Sequence, residues 1–116
     1  MNPQPLLQWQ WQGYPRFHRT RRNLLIHIVA VPVFLLGNVF ILLSVFRGEW
    51  LAAVAALAVT AVAFSVQGLG HKGEPEPAIP FSGPLNAVTR IFAEQWITFP
   101  RFVLSGGWLR AWKTAN

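Results

Sequence analysis

The sequence contains no cysteine and no aspartate. The first absence excludes disulfide bridges and thiolate metal sites, and the second leaves Glu49, Glu74, Glu76 and Glu94 as the only side-chain carboxylates. A metal site must therefore draw on glutamate, neutral oxygens and the three histidines, His18, His27 and His71. A catalytic triad would have to join a serine to a glutamate, and no G-x-S-x-G element is present, which weakens any hydrolase reading. Negative charge is scarce: ten Lys and Arg against four Glu give a net charge of +6. Such an excess suggests nucleic acid, but here the positive charges flank apolar runs and no nucleic-acid motif appears, so no nucleic-acid partner is expected. The opening MNPQPLLQWQWQGYP has neither the charged start nor the apolar core of a signal peptide.

What the chain has in abundance is apolar surface. Hydrophobic residues make up 53% of 116, more than so small a soluble body can hide, and a membrane resolves the conflict. Four arginines (Arg16, Arg19, Arg21, Arg22) stop at Asn23, and from Leu24 to Phe46 the one ionisable side chain is His27. Leu24 to Phe46 gives 23 residues and Trp50 to Gly70 gives 21, each enough to cross a hydrocarbon core. Only Arg47-Gly48-Glu49 lies between them, which forces an antiparallel hairpin. Nine of the ten Lys and Arg fall on the face opposite that turn, so both termini are expected to be cytoplasmic. The predicted class is an all-α membrane protein with a single domain over 1–116. It consists of a two-span transmembrane helical hairpin, spans about 24–46 and 50–70, plus one or two interfacial amphipathic helices within about 82–113.

The segments around the hairpin are read in the same way. Met1 to Pro15, with Trp9, Trp11 and Tyr14, reads either as a leader lying at the lipid headgroups or as a frayed tail. Pro32 is expected to kink the first span, and Ala52, Ala56 and Thr60 to give the second a smooth packing stripe. His71 to Pro84, with four prolines, reads as a loop. Ser82 then offers a helix cap, Pro84 fits the first turn, and Leu85, Val88, Phe92, Trp96 and Phe99 recur at helical steps, as in a helix lying in the membrane surface. Beyond Pro100 a second interfacial helix would set Arg110 and Lys113 against lipid phosphates beside Trp108 and Trp112. A third span would have to include Arg90, Glu94 or Arg101, and is disfavoured.

Projected at about 100° per residue, each span carries one polar seam. The first holds Asn23, His27, Phe34 and Asn38; the second holds Thr60, Phe64, Gln67 and His71. In an antiparallel hairpin His27 and His71 reach similar depth. The seams serve either as cross-helix hydrogen-bonding glue at about 0.6 kcal/mol per group, which is the expectation for Asn38 and Thr60, or as a metal site. His18 precedes His27 by nine residues, half a turn away on a continuous helix, so it joins only if the chain breaks. Asn23, a good cap residue, is the expected break.

Taken together, Tyr14-x3-His18-x4-Asn23-x3-His27, then Pro32, then Gln67-x2-Gly70-His71 followed by a glutamate and Pro77-Ala78, resembles the signature of the Mpo-type 2-hydroxy fatty acid dioxygenases. The resemblance runs from about Tyr14 to Ala78, and the run from Phe81 to Trp108 is similar to the ending of a bacterial branch of that group. It implies an integral-membrane enzyme, in the inner membrane if bacterial, that uses iron(II), Fe(2+), and O2 to cut a long-chain 2-hydroxy fatty acid to the acid one carbon shorter. By position, His18, His27 and His71 would be the iron ligands, joined by Glu74, which stands three residues after His71 where the family generally has four. Neutral imidazoles with a carboxylate suit non-haem iron chemistry, Arg22 or Arg19 could hold a substrate carboxylate, and Asn23 or Gln67 could orient a ligand imidazole. The residues alone leave a second class open: a non-enzymatic hairpin protein that organises or perforates membranes or serves as a subunit. A small multidrug transporter is disfavoured because it needs a carboxylate within the membrane.

Overall fold

The computed structural model describes residues 5–115. The two apolar runs form α2 (Arg21–Phe46, 26 residues) and α3 (Trp50–Lys72, 23 residues), each beginning or ending a few residues beyond the expected span. At about 1.5 Å per residue they reach ~39 and ~35 Å against a hydrocarbon core of ~30 Å. By length and composition both can cross a membrane. No strand occurs among the described residues. The turn between the helices is closed by Gly48 in the left-handed conformation (φ +68°), and by the Glu49 N–H donating to the Ser44 carbonyl at 2.8 Å. The antiparallel hairpin expected from the three-residue connection is therefore present, and α2 stays helical through Pro32.

The two helices meet through small residues, on a face that shares Thr60 and the Ala56 backbone with the expected stripe but leaves Ala52 outside it. Ala52 is exposed, and α3 instead buries Ala53, Thr60, Ala63, Gln67 and Gly70. Their spacing of three, four and seven draws a single stripe down the helix. Across from it, a methyl group added at Gly37 would collide with the Thr60 hydroxyl, and one added at Gly70 would collide with the Asn23 side chain. Asn38 donates to the Phe34 carbonyl and Thr60 to the Ala56 carbonyl, each within its own helix. The expected cross-helix glue at these two positions is thus corrected: close backbone approach, not polar exchange, joins the two helices. Gly37→Ala should accordingly cost about 1–3 kcal/mol as an overpacked contact. A lowered unfolding midpoint in detergent micelles checks this, and an unchanged midpoint contradicts it.

From Leu6 onward the N-terminal segment is α1 (Leu6–Phe17), so it is not a frayed tail; Met1 to Gln4 lie outside the described residues. The chain does break before His27, but earlier than expected. His18 ends α1, and Thr20 rather than Asn23 caps α2, its hydroxyl accepting the Asn23 N–H at 3.1 Å.

After the loop, α4 (Pro84–Ala93) is capped at Gly83, not Ser82, whose backbone N–H donates to the Asn86 side chain at 3.0 Å. A π-helical turn (Glu94–Thr98) follows, then α5 (Phe99–Leu104) and α6 (Gly107–Thr114). The break expected at Pro100 falls instead at Gly106 (φ +84°). Pro100 has no N–H for the Trp96 carbonyl, and the wider turn just before it absorbs that gap. Leu85, Val88, Phe92 and Trp96 face outward as an apolar stripe, while Phe99 turns inward. Phe99 and Phe102 pack with Tyr14, Leu24 and Val31 into a core where α1, α5 and the start of α2 meet. The Trp108 indole donates to the Leu24 carbonyl at 3.0 Å, so α6 is strapped to α2 rather than lying apart.

Candidate metal centre

The break at His18 makes a three-histidine cluster possible. His18, just past the end of α1, donates its Nδ1–H to the Tyr14 carbonyl at 2.8 Å, and His27, in the second turn of α2, donates its Nδ1–H to the Asn23 carbonyl at 3.0 Å. A carbonyl only accepts, so in both rings Nδ1 carries the proton and Nε2 presents a lone pair. Both Nε2 atoms are buried without a partner, as is His71 Nδ1 in the last turn of α3. One ligand atom from each of the three residues lies within 4.8 Å of the others. The rings stand nearly perpendicular, with centroids 4.6, 4.6 and 5.0 Å apart.

An orphaned buried acceptor costs about 1–3 kcal/mol, and three grouped together leave one another nothing to bond. The three lie close enough together for one cation to satisfy them all, and neutral imidazoles suit zinc, copper, iron or nickel. Burial, reinforced by His27 and His71, holds the His18 imidazole well below its ordinary range, in the neutral form a ligand requires. Of the four expected ligands, then, the three histidines come together.

Glu74 does not join them. Its buried carboxylate accepts the Arg19 N–H at 2.8 Å, the Thr20 N–H at 3.1 Å, the Thr20 hydroxyl at 3.0 Å and the Asn23 side-chain amide at 2.9 Å. All four donors gather at the start of α2, where orphan N–H groups and the helix dipole favour an anion. Glu74 is thus the clasp that ties the end of α3 to the α1–α2 break. Asn23 holds the His27 imidazole through its backbone carbonyl, while its side chain serves the clasp. Gln67 pairs with Gln95 in a buried reciprocal amide exchange at 3.0 and 2.7 Å rather than with a histidine. Arg22 is exposed and lies over Gly73, away from the lining of the adjoining chamber.

That chamber, about 440 Å3, runs beside His18 and His71 and is walled by α1, α3, α4 and the loop Pro77–Phe81. Its cations are Arg16, Lys72 and Arg90. Arg90 holds the loop wall in place, donating to the Ile79 and Pro80 carbonyls at 2.8 and 3.1 Å while its guanidinium sits over the rings of Trp9 and Phe81. Tyr14 stacks flat on His18 at 3.7 Å, and its buried hydroxyl has no partner. Burial and the nearby Glu94 carboxylate raise the Tyr14 phenol well above its usual range, so it stays a donor.

Glu94 is the residue the sequence reading left aside. The π-helical turn delivers it to the chamber, with its carboxylate 3.8 Å from His18 Nε2, and burial pushes it up to about 7 against the opposing pull of Arg90. A signal was available: Gln95 and Thr98 interrupt the run Phe92, Trp96, Phe99 with polar groups, both of which prove to be buried. No family model, curated protein or solved structure matches the chain.

Proposed function

We propose that the chain is a membrane-embedded, iron(II)-dependent dioxygenase that shortens long-chain 2-hydroxy fatty acids by one carbon, with both termini on the cytoplasmic face. The observation that carries this reading is the convergence of three orphaned imidazole nitrogens beside a mostly apolar chamber. The residue pattern from Tyr14 to Ala78 supplies the reaction class, and the two apolar helices and outward-facing stripe of α4 support the lipid setting.

Iron(II), held by His18, His27 and His71, would supply O2 activation next to the bond to be cut. The protein's own groups do the rest. The backbone bonds to Tyr14 and Asn23 fix two ligand rings in the metal-accepting tautomer. Lys72 and Arg16 give the chamber a positive side for a carboxylate, in place of the Arg22 expected from sequence. The unpartnered Tyr14 hydroxyl offers a hydrogen bond to the same head group. Phe64, Ile79 and Ile91 present apolar walls for the acyl chain.

The overall reaction closes with one hydroxy acid and one O2 giving the shortened acid, carbon dioxide and water: the bond between C1 and C2 breaks, carbon is oxidised and oxygen is reduced. The test is anaerobic reconstitution with iron(II), then addition of O2 and a long-chain 2-hydroxy acid. The expected result is the acid one carbon shorter with carbon dioxide in equal amount. Absence of both product and oxygen uptake would overturn the proposal.

A further inference from the structure

We infer that Glu94 is the carboxylate ligand of this metal centre, an assignment that rests on the metal reading above and reaches beyond it. Three neutral imidazoles leave a divalent cation uncompensated in a buried site, and buried charge demands a counter-charge. Only four carboxylates are available. Glu49 sits in the turn at the far end of the hairpin, and Glu76 is half-exposed and pairs with Arg16 at 2.9 Å and Arg19 at 4.0 Å. Glu74 is consumed by its four donors at the start of α2. Glu94 remains, and it stands on the correct side.

The chamber reaches the cluster across His18 and His71, while His27 is sealed behind them and takes no part in the lining. Glu94 lines that same approach. Its Oε1 is 3.8 Å from His18 Nε2, too long for a hydrogen bond. Two atoms each ~2.1 Å from one ion stand roughly 3 to 4.2 Å apart, and the spacing falls within that range. The three imidazoles group without the carboxylate, whose contact with the cluster is through His18; binding as a fourth ligand requires rotation about its own side-chain bonds. The local backbone agrees with the assignment: a π-helical turn is an uncommon conformation that recurs where a helix must aim a side chain at a site, and this one begins at Glu94.

The test is titration of the full-length protein in micelles with iron(II) alone, anaerobically, against a chromophoric chelator. Glu94→Gln keeps shape and hydrogen-bonding capacity but removes the charge, and should weaken iron binding at least about ten-fold. Glu49→Gln makes the same change in net charge at the far turn and should leave the affinity where it was. Equal affinity for Glu94→Gln and the native chain overturns the assignment while leaving the three-histidine site intact. No iron uptake by the native chain overturns both. A second measurement needs no variant: the infrared difference spectrum of the native protein on loading with iron(II) should show carboxylate bands shifting, and a spectrum with imidazole changes alone overturns the assignment.

Discussion

Replacing His27 with alanine is expected to abolish metal binding, lowering affinity more than about 100-fold, since loss of an inner ligand exceeds the 10- to 100-fold typical of outer-shell changes. His27 is 1% exposed, its ring is fixed by the Asn23 carbonyl, and it lies behind the other two imidazoles at the closed end of the site. No solvent or neighbouring carboxylate stands ready to replace it. The matched control is Asn38→Ala, one helical face shared with His27 but bonded only to its own helix, which should retain full metal content. Metal analysis after dialysis, with far-ultraviolet circular dichroism to confirm helicity, decides the matter. Normal metal content in the folded His27 variant would remove the centre from consideration, and turnover with it.

Glu74→Ala should have the largest effect on stability. It strips the acceptor from two backbone N–H groups, one hydroxyl and the amide of Asn23, a residue with no exposed surface. At about 1–3 kcal/mol for each buried donor left unsatisfied, and with water relieving those nearest the surface, a loss of about 3–5 kcal/mol is expected. The variant should also bind iron more weakly, because Arg19 and Thr20 follow His18 directly and their position fixes where α1 hands the chain to α2. Unfolding by denaturant in micelles, run on the metal-free protein, measures the first effect separately from the second. The pairing with Glu94→Gln is diagnostic: one glutamate should govern chiefly how tightly the chain holds together, the other chiefly how tightly it holds an ion. Equal stability of Glu74→Ala and the native chain would refute the clasp.

The parts of this architecture that were legible in sequence depend on spacing along one chain segment. Two uncharged, mostly apolar runs of more than twenty residues joined by Arg47-Gly48-Glu49 leave no alternative to a hairpin, and antiparallel helices bring His27 and His71 level. What escaped depends on how separate segments dock. Glu74 reads as a ligand because it follows His71 closely, yet the N-terminus of α2 is an equally good destination for a carboxylate, and only the tertiary arrangement decides between them. Gln67 reads as a partner for histidine until Gln95 arrives from a part of the chain 28 residues away. Glu94 falls on the polar face of a regular α-helix, and the π-helical turn that redirects it leaves no trace in sequence beyond the polar Gln95 and Thr98 set among the apolar residues. Asn23 reads as the cap at the break, but Thr20, three residues earlier, performs the capping, with its hydroxyl donating to Glu74 and accepting the Asn23 N–H.

His18 and His27 precede the turn at Gly48, and His71 closes the helix after it. A nascent chain thus exposes two imidazoles before the third exists, and all three cannot share a point until α3 has folded back along α2. Uptake of an ion by the proposed centre would therefore mark the completion of assembly rather than its beginning, and a chain lacking α3 would be without one of the three imidazoles.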